Sequence, residues 1–117
     1  MNIEELRVFC LSLKGTYEEL PFDENTLVFK VMGKIFLLTD IADFGSINVK
    51  CDPERAVELR ERYECVKAGY HMNKKHWNTI EINRQLSDNE INQWILHSYE
   101  LVVSKLNKAD KVFLNEL

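Results

Sequence analysis

The residues best equipped for chemistry sit in one short stretch, Tyr70-His-Met-Asn-Lys-Lys-His-Trp-Asn78. It holds two of the three histidines, two adjacent lysines, a tyrosine and a tryptophan. Three chemistries fit such a composition: metal ligation, activation of a nucleophile, and contact with phosphates backed by aromatic stacking. The spacing works against the first. His71 and His76 are five apart, so on a helix they point about 140° from each other and on a strand they face opposite sides. No Cys or carboxylate lies within the stretch to complete a tetrahedral set, and no metal site is expected. Nucleophilic motifs such as GxSxG and HExxH are absent. Cys65 is the thiol nearest these histidines in sequence, and a buried, inert thiol is its ordinary reading. The four glycines, at 15, 33, 45 and 69, are isolated, so no phosphate-cradling loop is formed from them. No catalytic residue and no cofactor are expected, and the chain reads as non-enzymatic.

Charge favours the third chemistry locally. The 117 residues carry a formal net charge of −4, which opposes bulk affinity for nucleic acid. The distribution is uneven. Residues 67–84 hold Lys67, Lys74, Lys75 and Arg84 against Glu81 alone, whereas the segments on either side are net acidic. Lysines attract phosphates without reading sequence, and an exposed ring stacks on a base. A competing structural reading assigns Trp77 to covering a sheet edge, Tyr70 to anchoring the loop through its hydroxyl, and Asn73 to fixing a turn. On residue types alone the structural reading is the stronger.

The elements that must position this stretch are legible from periodicity. Asn2 with Glu5 forms a capping box ahead of Ile3, Leu6, Phe9, Cys10 and Leu13 at helical spacing, and Gly15 ends that helix. Residues 16–25 (TYEELPFDEN) are polar, contain Pro21 and read as a loop. Thr26–Met32 alternates Leu27, Phe29 and Val31 against Val28 and Lys30. Gly33-Lys34 marks a tight turn, and Ile35–Asp40 and Ser46–Cys51 follow as strands, the latter with Asn48 and Lys50 opposite Ile47 and Val49. Asp52-Pro53 opens a second helix whose buried stripe is Ala56, Val57, Leu59 and Tyr63. Trp77–Ile82 is a fourth strand, with Trp77, Thr79 and Glu81 facing outward on the same kind of face as Lys30 and Lys50. Ser87 and Glu90 cap a long helix from about Asp88 to about Leu106, and Asn107–Leu117 is a tail that docks or frays. The order α-β-β-β-α-β-α, with a short extra strand near 65–68, predicts one α+β domain over residues 1–117: an antiparallel sheet with helices packed on one face and water on the other. An amphipathic, acidic N-terminus, no apolar run near the ~20 residues a bilayer requires, and three cysteines without a CxxC lead us to expect a cytoplasmic protein.

The chain also resembles the MmcQ/YjbR family of small bacterial proteins. The similarity is carried by FKVMGK (29–34), INVKCDPERAVELRERY (47–63), Tyr70-His-Met-Asn-Lys with His76-Trp77, and Ser98-Tyr-Glu-Leu-Val102. The resemblance implies a frataxin-like (CyaY-like) fold and DNA binding through a double-wing arrangement, with no catalytic residues or cofactor. Carried over by position, its candidate contacts are Lys30, Lys34, Tyr70, His71, Asn73, Lys74, His76 and Trp77. Local charge adds Lys75 and Arg84, and strand alternation adds Lys50. The expectation is a DNA-binding surface, basic and aromatic. The alternative is a protein- or small-anion-binding module using Tyr70–Trp77 as a pocket lip.

Overall fold

The computed structural model describes residues 1–69 and 72–117. Helix α1 (Ile3–Ser12) opens on the expected capping box, with Asn2 Oδ1 accepting from Glu5 N–H at 2.8 Å and Glu5 Oε1 accepting from Asn2 N–H at 3.1 Å. Strands β1 (Thr16–Glu19), β2 (Thr26–Val31), β3 (Lys34–Asp40) and β4 (Ser46–Lys50) follow, then α2 (Pro53–Arg62), β5 (Val66–Ala68), β6 (Trp77–Glu81), α3 (Asp88–Ser104) and α4 (Lys108–Asn115). The strands form one antiparallel sheet in the order β1-β2-β3-β4-β6-β5. The α+β class and the helix-covered face are as the sequence predicts.

Several local expectations change. Residues 16–19 are an edge strand rather than loop. Their polarity is that of a strand whose charges are met by neighbours: Glu18 takes the Arg7 guanidinium at 2.6 Å, and Glu19 pairs with Lys30. The turn between β2 and β3 is Met32-Gly33, one residue earlier than predicted, because Val31 pairs directly with Lys34. Both turn residues have positive φ (49° and 79°), as a two-residue turn matching strand twist requires. Val57 is 48% exposed and leaves the α2 stripe to Ala56 and Leu59. The tail is a helix, capped by Asn107 and docked through buried Leu114.

One irregularity organises the sheet. Pairing between β2 and β3 runs Phe29↔Leu37 and then Lys30↔Ile35, so Phe36 is an extra residue, a β-bulge. Ordinary alternation would put Ile35 and Leu37 on one face. Across the bulge, Phe36 and Leu37 both enter the helix-side core and are fully buried, while Ile35 and Leu38 share the other face. The inner core closes over this pair with Phe29 6.4 Å from Phe36 and Tyr99 edge-on to Phe36 at 5.5 Å. Each such ring or aliphatic chain withdrawn from water contributes roughly 1.5–3 kcal/mol.

The bulge disturbs the hydrogen-bond ladder, and α3 repairs it. Buried Ser98 accepts from Lys50 N–H at 2.8 Å and donates from Oγ to the Phe36 carbonyl at 2.6 Å. One residue earlier, His97 Nε2 accepts from Asp52 N–H at 3.2 Å, which fixes the β4–α2 junction. Removing the Ser98 hydroxyl leaves two buried backbone groups without partners, so Ser98→Ala is expected to cost about 2–4 kcal/mol, above the ~1 kcal/mol net value of one ordinary hydrogen bond. Urea denaturation measures this, and a loss below about 0.5 kcal/mol would show that the bridge matters little.

Candidate functional site on the outer face of the sheet

The sheet face turned away from the helices is not the wet surface expected from alternation. A row of side chains crosses all six strands there by direct pairing: Glu19, Val28, Leu38, Asn48, Thr79 and Lys67. Val28 is fully buried and Thr79 is 2% exposed. A sheet face so apolar at its centre needs cover, and loops supply it.

Two segments stand over this face. The first, residues 20–25, is tied by Asp23, whose Oδ1 accepts from Asn25 N–H (2.9 Å) and Thr26 N–H (2.7 Å). These bonds hold the carboxyl below its usual pKa and fix the turn that carries exposed Phe22. The second is the 72–76 segment. Asn73 makes its turn as the structural reading predicted: its carbonyl accepts from His76 and Trp77 N–H, and its Oδ1 accepts from Lys75 N–H at 2.9 Å. Arg60 of α2 anchors the same turn by donating to the Lys74 carbonyl at 3.1 Å.

Between these loops and the sheet lies a cavity of about 490 Å³. Ile35, Leu38 and Asn48 belong to the sheet, Phe22 and Met72 to the loops, and Thr26, Thr39 and Asp40 complete the lining. Its polar groups are few and already oriented. Asn48 Oδ1 accepts from Thr79 Oγ1 at 2.6 Å, which leaves its Nδ2 without a partner among the described residues. Thr39 spends its hydroxyl proton on the Ser46 carbonyl at 2.7 Å. Asp40 Oδ1 accepts from Ala42 and Asp43 N–H, so Oδ2 remains open to another donor among the described residues. Among the described residues no Lys or Arg lines the cavity.

The predicted contact residues divide. Lys30, Lys34, Lys50 and the 73–77 turn gather at one end of the sheet, since Lys34 begins β3, Lys50 ends β4 and Trp77 begins β6 opposite Lys50. They do not form one aromatic, cationic platform. Trp77 shares the outer face with Lys50, as alternation required, but is only 8% exposed, so it cannot offer a stacking surface. Gly69 explains part of this: a Cβ there would lie 2.8 Å from Trp77 Cβ and 3.0 Å from its carbonyl oxygen, so only glycine lets the two strands close. Lys30 is spent on Glu19, and Lys34 sits on the opposite register from Lys30. Lys75 stands in a shallow hollow beside Glu54 and Glu58 of α2. Half-buried His76 uses its carbonyl to accept from Cys51 N–H at 2.7 Å. Arg84 lies at the far end of the sheet, beyond Glu81, with a left-handed φ of 70°. Tyr70 and His71 lie outside the described residues.

Thiol chemistry finds no foothold. All three cysteines are buried, and burial pushes Cys51 up to about 11 and raises Cys10 and Cys65 as well. Among the described residues no helix is long and apolar enough to cross a membrane. Phe22, Met72, Asp40 and Leu38 were missed as site residues. The available signal was Val28, an apolar residue on the face assigned to water.

The architecture is thus that of a small α+β domain whose sheet is covered by helices on one face and partly by loops on the other, with a cavity under the loops. The YjbR family model matches residues 11–101, and the chain belongs to that family. It is 38% identical over 104 residues to the Escherichia coli O157:H7 protein YbdF, covering 86% of this chain and 85% of that one. To YjbR of Escherichia coli K12 it is 27% identical along the full length of both. Among solved structures, a Deinococcus radiodurans protein with a DUF419 domain superimposes with a TM-score of 0.91 at 36% identity, over 97% of this chain and 88% of that one. A Pseudomonas syringae protein gives 0.73 at 25% identity, over 86% and 98%.

Proposed function

We propose that the chain is a non-catalytic, cytoplasmic binding protein whose small-molecule ligand occupies the outer-face cavity beneath Phe22 and Met72. The observation that carries this reading is the cavity itself, a largely apolar hollow within the usual size range of ligand sites and bordered by the segment the sequence singled out as a lip. Its polar groups define the ligand. The open Asp40 oxygen takes an N–H, O–H or ammonium donor, and the Asn48 amide donates to an acceptor. With an acid in the lining and no Lys or Arg among the described residues there, the favoured ligand is neutral or cationic rather than the anion expected from the lysines.

Benzylamine, benzyl alcohol and phenylacetate serve as probes that share a benzyl group and differ in charge. Benzylamine is expected to bind best, shifting the NMR methyl signals of Met72, Ile35 and Leu38. Asp40→Asn keeps the Oδ1 acceptor that holds the turn and removes the charge. It is expected to weaken benzylamine about tenfold, the value of one charge-assisted hydrogen bond, and to leave benzyl alcohol nearly unchanged. If none of the three probes moves those methyls at millimolar concentration, or phenylacetate binds best, the reading fails.

Duplex DNA is the second reading, supported by Lys34, Lys50, Lys74 and Lys75 lying at one end of the sheet. Four phosphate contacts give a slope of about −3 to −4 for log K against log salt. Titration of labelled duplex at two salt concentrations measures it. Negligible affinity even at low salt removes this reading while leaving the cavity untouched.

A further inference from the structure

A second, separate feature lies on the helix side of the sheet. A groove of about 190 Å³ between α2 and α3 is lined by Arg55, Glu58, Leu59, Arg62 and Trp94. Trp94 is only half-buried, unlike Trp77, and His97 meets its ring edge-on at 5.3 Å. His97 is itself fixed by the Asp52 N–H bond, and burial, reinforced by the nearby Arg55 charge, lowers its pKa. A neutral imidazole therefore supports the indole, and the cationic character of the groove comes from the two guanidinium groups. Arg62 lies over the Tyr63 ring at 5.4 Å. In a chain of net charge −4, neither Arg55 nor Arg62 has a carboxylate within salt-bridge distance among the described residues. Glu58 lines the same groove without closing on either. Two planar cations without a carboxylate partner among the described residues, beside a partly exposed indole, are suited to a ligand with a flat ring and an attached anion, the ring meeting the indole and the anion taking the forked donors.

We infer that the α2–α3 groove is a binding site for a small aromatic anion, a single ring system bearing a phosphate or similar oxyanion. Its size admits one ring system, and Glu58 tempers its affinity by like-charge repulsion. The site shares no lining residue with the outer-face cavity and stands or falls independently of it.

The probe is 1-naphthyl phosphate, with inorganic phosphate and 1-naphthol as its two halves. The readout is fluorine NMR of protein labelled with 5-fluorotryptophan. The chain has two tryptophans, and Trp94→Phe assigns their signals. Saturable movement of the Trp94 signal is expected with 1-naphthyl phosphate, with each half-probe at least about tenfold weaker and R55Q/R62Q weakened about tenfold. E58Q is expected to tighten binding a few-fold, an effect that loss of structure would not produce. These side chains are exposed, so the variants should keep the fold, and an unchanged Trp77 signal verifies it. A static Trp94 signal, or equal binding by R55Q/R62Q and the parent chain, overturns the assignment.

Discussion

The extra residue at Phe36 is the constraint on which the remaining architecture turns. A regular strand through Ile35-Phe36-Leu37-Leu38 would present two apolar residues to each face in strict alternation, and Ile35 would belong with Leu37. The bulge instead sends the two central residues together into the helix-side core and leaves the flanking pair on the outer face. Such a break leaves backbone groups without their ladder partners, and a buried unpaired group is costly. Ser98 meets that demand from α3 by linking the Phe36 carbonyl to the Lys50 amide. Helix, bulge and the end of β4 are therefore one unit, and the outer-face cavity is its consequence on the other side of the sheet.

Elements with a strong local cause were legible before any coordinates. The capping boxes at Asn2 and Ser87 and the Asp52-Pro53 start fall where local hydrogen-bonding groups dictate them. β1 was not legible because it is an edge strand whose charges are satisfied by Arg7 and Lys30, so it carries no apolar alternation. Trp77 shows the limit most clearly. Alternation gives the face on which a side chain lies, and here it did, but burial depends on what crosses above that face. The approach of Gly69 is a tertiary fact with only a faint trace in the sequence, whereas the local turn made by Asn73 was expected from its residue type. The bulge was equally hidden, since no glycine or proline marks it.

The electrostatics follow the same division. Local lysine density in the sequence pointed to an anionic partner at residues 70–77. In the fold, Lys30 is paired and Lys75 stands beside acids. Arg55 and Arg62, seven residues apart on α2 and without a carboxylate partner among the described residues, line one groove with the indole of Trp94 of α3. The outer cavity, in contrast, takes its polarity from Asp40 and Asn48, neither of which stands out in the composition.

The most direct test of this account is a nuclear Overhauser measurement on methyl-labelled protein without ligand. If the bulge turns Ile35 and Leu38 to the outer face and the 72–76 segment stands over them, the Met72 methyl will show contacts to Ile35 or Leu38, and neither of those methyls will contact Tyr99. A Met72 methyl at its random-coil position with no contacts, or an Ile35 methyl packed against Tyr99, would contradict it.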